Sequence, residues 1–316
     1  MFKIAIVGTG AIVGSHLSAI DKLDDCELVA LCDLNEERVK ALAAERGVPY
    51  FLDYKEIPGS VECDAVILNL PHGLHASASI FFLESGINVL VEKPMANTVF
   101  ECDAMEAAAA KSGKKLAIAH VQRYFEVNKA IKRIIDSGEL GRLCMYNEQR
   151  SINYFLPSRA PWFTSKKMAG GGIVMNYGAH AFDRACWTAG GNIVEVYGMC
   201  DNFINDRDVE GHAQIMAKLD NGVSLTVTFS GYSTVDYCIY YYFTKGALRV
   251  TGTSKVEIKR EGEKEWTLIE VAPGGNEFKE EINEFHKYVL GEDSNIPDCA
   301  YSRKIIEAIT KAYGDI

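Results

Sequence analysis

A lysine closes an apolar run in the segment GINVLVEKPMANT, Gly86 to Thr98. Asn88 to Val91 read as a buried strand, and Glu92, Lys93 and Pro94 follow where that strand reaches the surface. A partly desolvated amine at such a place loses its proton readily and can donate to, or accept from, a reacting oxygen. His180 titrates near neutrality and suits proton transfer. Asn176, His180 and Asp183 are spaced by four and three, which predicts one shared helix face. Asn176 takes no proton but donates and accepts hydrogen bonds, so it is expected to contact a hydroxyl group.

A second group is the run GTGAIVG, Gly8 to Gly14, between a predicted strand and a predicted helix. Gly8 permits a tight turn, Gly10 lets backbone approach a pyrophosphate, and Thr9, Ala11 and Ile12 complete the loop. The helix N-terminus behind it offers free N–H groups and a partial positive charge. Asp33 closes the next strand, 19 residues past Gly14, near the spacing of a ribose ligand. The third glycine of the G-x-G-x-x-G pattern is replaced by Val13, a position that governs helix packing more than phosphate contact. A carboxylate at Asp33 accepts from both ribose hydroxyls and repels a 2′-phosphate. No arginine immediately follows it, Arg38 lying further on, so NAD is favoured over NADP.

The elements that must position these groups come in two textures. Up to His120, short apolar runs (KIAIVG, CELVALCD, DAVILNLP, the run before Glu92, KLAIAH) alternate with helical patterns. Asn35 and Gly47 read as the N-cap and C-cap of one such helix. Apolar runs rather than strict alternation predict parallel strands covered on both faces, hence a doubly wound sheet. Residues 1–120 are therefore expected to form a Rossmann dinucleotide-binding domain. Residues 121–316 are expected to form a second, α+β domain, whose C-terminal helix could pack back on the first. A helix is predicted from Val127 to Ser137. NIVEVYGMC, HAQIMAKLD, VSLTVTFSGY, DYCIYYYFT, GALRVTGT, KVEIKRE and EWTLIEV all read as antiparallel strands of a large open sheet.

The bulk numbers narrow the classes. The chain has 316 residues, room for two domains, and a formal net charge of −10 with no basic run, which argues against nucleic-acid binding. No segment reaches the roughly 20 apolar residues of a membrane span, and MFKIAIVG is not a signal peptide. A cytoplasmic location is expected. The nine cysteines show no C-x-x-C spacing and read as free thiols, and no His/Cys cluster has metal spacing, so no metal is expected. His16 reads as a packing residue, and His212 and His286 as surface or sheet residues. Arg123, Tyr124, Tyr154 and Trp162 could line a ligand pocket, since aromatic faces and guanidinium groups suit hydroxyl-rich molecules.

GTGAIVGSHL, LNLPHGLHASAS, GINVLVEKPMA, QRY (Gln122 to Tyr124), DSGELGRL and GGGIVMNYGAHAFD, in this order, resemble the Gfo/Idh/MocA family of sugar and polyol oxidoreductases. The resemblance implies a Rossmann domain followed by an α+β domain whose open sheet commonly forms a dimer or tetramer interface, with the active site between them. It implies hydride transfer at a carbinol or carbonyl carbon of a sugar, inositol or related small molecule. Lys93 matches the E-K-P lysine that contacts substrate near the nicotinamide, Pro94 shapes its turn, and Glu92 is its usually structural acid. Asn69, Leu70, Pro71 and His75 match the loop that borders the cofactor, His75 serving as well for a structural donor. His180 matches the acid/base histidine and Asp183 the second acid of its block. The first acid, four residues before that histidine, is here Asn176. Two assignments stay open: His180 as acid/base with Lys93 orienting the oxygen, or the reverse. An NAD-retaining glycoside hydrolase and a non-catalytic dinucleotide-binding regulator are the competing functions.

Overall fold

The structure, a computed structural model, describes residues 1–204 and 207–314. The chain divides into two compact units. The first comprises Met1–Val121 and Gly275–Arg303, the second Gln122–Gly274 and Lys304–Ile316.

The first unit alternates strand and helix: β1 (Phe2–Val7), α1 (Val13–Ile20), β2 (Cys26–Cys32), α2 (Glu36–Arg46), β3 (Tyr50–Phe51), β4 (Ala65–Leu68), α3 (His75–Glu84), β5 (Asn88–Glu92), α4 (Val99–Ser112) and β6 (Leu116–Ala119). The strands form one parallel sheet in the order β3-β2-β1-β4-β5-β6. Every residue of β4 and β6 is buried, as a strand covered on both faces requires. Local chemistry sets the helix ends. Asn35 accepts from the Arg38 N–H at 3.0 Å, Gly47 takes the left-handed turn at φ 67°, and Thr98 with Glu101 forms a reciprocal capping box. Strand order reverses between β1 and β4, which opens a crevice at their carboxyl ends.

The second unit begins with α5 (Glu126–Ser137), β7 (Leu143–Ser151), α6 (Lys166–Ala169) and α7 (Ala179–Ala189). It continues through β8 (Ile193–Asp201), β9 (His212–Leu219), β10 (Ser224–Ser230), β11 (Cys238–Phe243), β12 (Gly246–Thr251), β13 (Lys255–Arg260) and β14 (Thr267–Ile269). Its sheet runs β14-β13-β12-β11-β7-β10-β9-β8. Two findings correct the sequence reading. β7 sits mid-sheet although its residues LCMYNEQRS give no apolar run, and it pairs with β10 in parallel, not antiparallel. Its inward row, Tyr146 and Glu148, is buried because Glu148 is satisfied from several sides. Arg184 on α7 donates to it at 2.6 Å, Tyr237 at 2.9 Å, and Tyr146 also donates.

Two last helices follow, α8 (Glu277–Leu290) and α9 (Cys299–Ala312). The segment Gly275–Arg303 belongs to the first unit. Ile282 and Phe285 of α8 are fully buried, Phe285 meets Phe2 edge-on, and Phe278 meets His16. The Ile118 N–H donates to the Pro297 carbonyl at 3.0 Å. All nine cysteines are free thiols. Among the described residues no helix is long and apolar enough to cross a membrane.

Candidate functional site

In the first unit the two loops at the β1/β4 crevice face each other. Gly8 adopts φ 99°, and a Cβ there would lie 2.3 Å from the Asn69 carbonyl oxygen. Only glycine fits. Gly10 has open space where its Cβ would be, and no side chain caps the α1 N-terminus behind Ala11 and Ile12. The Asn69 side chain is buried with neither its oxygen nor its nitrogen bonded. A buried amide in this state calls for a ligand with both donor and acceptor groups.

Asp33 stands at the end of β2. The Thr9 backbone N–H and hydroxyl donate to its Oδ2 at 2.7 and 2.8 Å, and the Asn35 N–H donates to Oδ1 at 2.8 Å. Arg38 folds back from the first turn of α2. Its Nη2 donates to Asp33 Oδ2 at 2.8 Å and its Nε to the Thr9 hydroxyl at 3.0 Å. Burial alone would raise the Asp33 pKa, but these donors outweigh it and hold the carboxyl below its ordinary value. The absence of an arginine directly after Asp33 thus understated the chemistry there. The open loop, the unsatisfied Asn69 and the Asp33 carboxylate together fit a dinucleotide.

Leu70 and Pro71 lead from Asn69 into α3. His75 is fully buried, its ring nitrogens 2.8 Å from the carbonyls of Leu70 and Pro94. Burial pushes its pKa down against the pull of the two carbonyls. It ties the Asn69 loop to the turn after β5, which is a structural strut. Glu92 ends β5, accepts from His16 at 3.2 Å, and accepts the Lys93 N–H at 3.2 Å. Burial opposes the Glu92 charge, but His16, Lys93 and His75 lower its pKa overall. His16 is therefore more than the packing residue its helix position suggested. Lys93 follows the last residue of β5, half-buried, before a cis Lys93–Pro94 bond.

The second unit groups the remaining candidates around α7. Asn176 is buried and lies in a π-turn, Val174–Gly178, that runs directly into α7. The regular four-and-three spacing predicted for Asn176, His180 and Asp183 is thus broken at its first step. Such π-turns recur at functional sites. His180 is the second residue of α7 and half-buried. Asp183, 1% exposed, accepts at one oxygen from Arg123 Nε and Nη2 at 2.9 and 2.7 Å. Arg123 and Asp183 thus meet each other, a geometry that places the chain before α5 against α7.

The run before the π-turn explains its glycines. A Cβ on Gly171 or Gly172 would lie 2.0 Å from the Tyr313 hydroxyl or the Glu210 carbonyl. The Glu210 carboxylate accepts the N–H groups of Gly172 (2.7 Å) and Val174 (2.8 Å) and the Tyr313 hydroxyl (3.0 Å). Tyr154 is fully buried, hydrogen-bonds the Asn176 side chain, and carries Arg159 over its ring at 4.2 Å. Trp162 stacks on Phe163, which also faces Arg159. Tyr124 is buried in the turn that holds Arg123. Arg150 lies over Tyr177, the neighbour of Asn176, at 4.2 Å.

Sequence reasoning did not single out Arg38, Arg150, Arg159, Arg184, Glu148 or Glu210. Arg38 reads in the sequence only as lying past Asp33, and nothing in the pattern shows that it folds back onto that carboxylate. No metal was expected from cysteine and histidine spacing. The fold does bring Asp25, Cys26 and His286 within 4.8 Å of one another. There His286 and Cys26 both donate to Asp25, at 3.0 and 3.7 Å.

Comparison with known proteins covers both units. Residues 2–120 match the oxidoreductase family with an NAD-binding Rossmann fold, and residues 128–254 match the GFO/IDH/MocA C-terminal domain. A 1-carboxy-3-chloro-3,4-dihydroxycyclohexa-1,5-diene dehydrogenase of Comamonas testosteroni is 30% identical over 73% of this chain and 58% of that protein. Inositol 2-dehydrogenase 1 of Saccharopolyspora erythraea is 28% identical over 61% of this chain and 56% of that protein. The chain thus spans somewhat over half the length of these curated relatives. The crystal structure of an aldose-aldose oxidoreductase from Caulobacter crescentus, complexed with glycerol, superposes with a TM-score of 0.88 at 23% identity, covering 98% of this chain and 97% of that one. Match and fold agree across both units, and the chain belongs to the Gfo/Idh/MocA family of NAD-binding oxidoreductases.

Proposed function

We propose that the chain transfers a hydride between NAD(H) and a CH–OH or C=O carbon of a sugar, inositol or related polyol. The carrying observation is that the family match spans both units, with Lys93 just past the end of β5 and His180 at the start of α7. The two relatives named above are dehydrogenases of a ring diol and of inositol, and both substrates are small carbocyclic alcohols.

NAD, when bound, supplies the hydride acceptor or donor. Gly8 to Ile12 and the α1 N-terminus would hold its pyrophosphate, Asp33 its adenosine ribose, and Asn69 to Pro71 would border it. His180 takes the hydroxyl proton during oxidation and returns it during reduction. Lys93 donates to the same oxygen and stabilises its developing charge. Asn176 would hydrogen-bond a neighbouring hydroxyl of the substrate.

The test is initial-rate NADH formation over inositols, aldoses, sugar acids and amino sugars. Lys93→Ala should lower kcat on the best substrate by about 100-fold or more, with NADH binding retained. Unchanged turnover in that variant defeats the catalytic reading.

A homodimer or homotetramer built on the open sheet accompanies this proposal. Tyr197, Met199 and Met216 are 70%, 69% and 65% exposed, and Tyr197 pairs directly with Met216 across β8 and β9. Large exposed apolar side chains in adjacent register suit a sheet face that meets another protein surface.

A further inference from the structure

Among the described residues, Arg150 and Arg159 of the second unit have no acidic partner. Arg150 ends the inward row of β7 after Tyr146 and Glu148, and its guanidinium lies 4.2 Å over the Tyr177 ring and 5.1 Å from that of Tyr237. Arg159, in the segment after β7, lies 4.2 Å over Tyr154 and 4.9 Å from Phe163. Both are half-buried. The Nε of each is buried with no hydrogen-bond acceptor, and neither forms an ion pair among the described residues. Tyr154 and Tyr177 meet edge-on at 6.3 Å, and both adjoin Asn176, one by hydrogen bond and one by sequence.

The acids of this region are engaged elsewhere. Glu148 is bonded by Arg184, Tyr237 and Tyr146, Asp183 by Arg123, and Glu210 by Gly172, Val174 and Tyr313. Stacking occupies a face of each guanidinium but leaves its N–H edge open, the geometry that forks onto a carboxylate. A half-buried cation without a counter-ion is held at a cost that an incoming anion would relieve.

We propose that the polyol substrate carries a carboxylate, recognised by Arg150 and Arg159 on the tyrosines that flank Asn176. The inference rests on the dehydrogenase reading and narrows its substrate class. A carboxylate offers two coplanar oxygens to the in-plane edge of a stacked guanidinium; a phosphate can take the same fork, so the phosphate control separates the two anions.

The test is calorimetric binding to the NAD-loaded protein, which does not depend on turnover. The probes are glucuronate against glucose, quinate against myo-inositol, and glucose 6-phosphate as an anion control. At least one carboxylate should bind tenfold or more tightly than its neutral counterpart, and added salt should erode that preference. Arg159→Gln or Arg150→Gln should remove it, with neutral binding retained and the fold intact by circular dichroism. Arg159→Lys should recover only part. Equal binding of acid and neutral probes, no carboxylate bound at all, tighter binding of the phosphate, or indifference to both arginine variants would overturn the proposal. NADH formation from neutral polyols alongside any of those results leaves the dehydrogenase reading standing. No NADH from any probe, with carboxylate binding intact, defeats that reading instead.

Discussion

In the function proposed above, Asp33 and Arg38 would decide between two cofactors that differ by one phosphate. On the proposed reading the Asp33 carboxylate would face the ribose and repel a 2′-phosphate, while Arg38, 2.8 Å from Asp33, would bind one once released. Asp33→Ser should therefore shift the ratio of kcat/KM values toward NADP by about tenfold or more. Initial rates with both cofactors check this, and an unmoved ratio would mean that Arg38 does not reach the phosphate. Much of this was legible in the chain. Asp33 was readable from its place after an apolar strand and its distance from the glycine loop. Arg38 was not, because its return depends on the Asn35 cap, which turns the chain so that a residue five positions on comes back over Thr9. Lys93 and His180 were readable by type and by motif. Arg150 and Arg159 were not, because their meaning lies in the acids that other residues have already claimed.

At the scale of elements, β7 is the instructive case. Its polar residues hid it from a pattern reading, yet it occupies the middle of the sheet because α7 and the tyrosines satisfy Glu148 inside the unit. Burial works against the Arg184 charge, but Glu148 more than offsets this and keeps the guanidinium protonated. Arg184 also donates to Gln122, the neighbour of Arg123, so one network ties β7, α7 and the chain before α5. Glu148→Gln leaves a buried cation without its counter-charge and should destabilise the fold by about 3 kcal/mol. Urea unfolding followed by intrinsic fluorescence measures this. A midpoint equal to that of the parent chain would mean that neutral hydrogen bonds suffice. Five of the six parallel strands were readable because each is an apolar run between turn residues, and the seven later strands from their aromatic and β-branched residues; the two-residue β3 was not. The π-turn was not, since it follows from glycines packed against Tyr313 and Glu210, residues far along the chain.

At the scale of the whole molecule, the open sheet face bears on assembly. Met216→Glu places a charge beside Tyr197 in the proposed contact and should yield monomers where the parent chain gives dimers or tetramers, as read by light scattering after size exclusion. Identical masses for the two proteins would remove this face as the interface. The first unit carries a different consequence. Its sheet is complete by Ala119, but α8 and the segment to Arg303 supply the side chains that cover Phe2, His16 and β6. During synthesis at roughly 5–20 residues per second, the nascent dinucleotide domain waits on the order of ten seconds with that flank bare. The ribosome must emit nearly the whole second unit before the first is closed. The order of translation is therefore not the order of completion, and a fragment stopped near Val121 would leave the Phe2 edge uncovered.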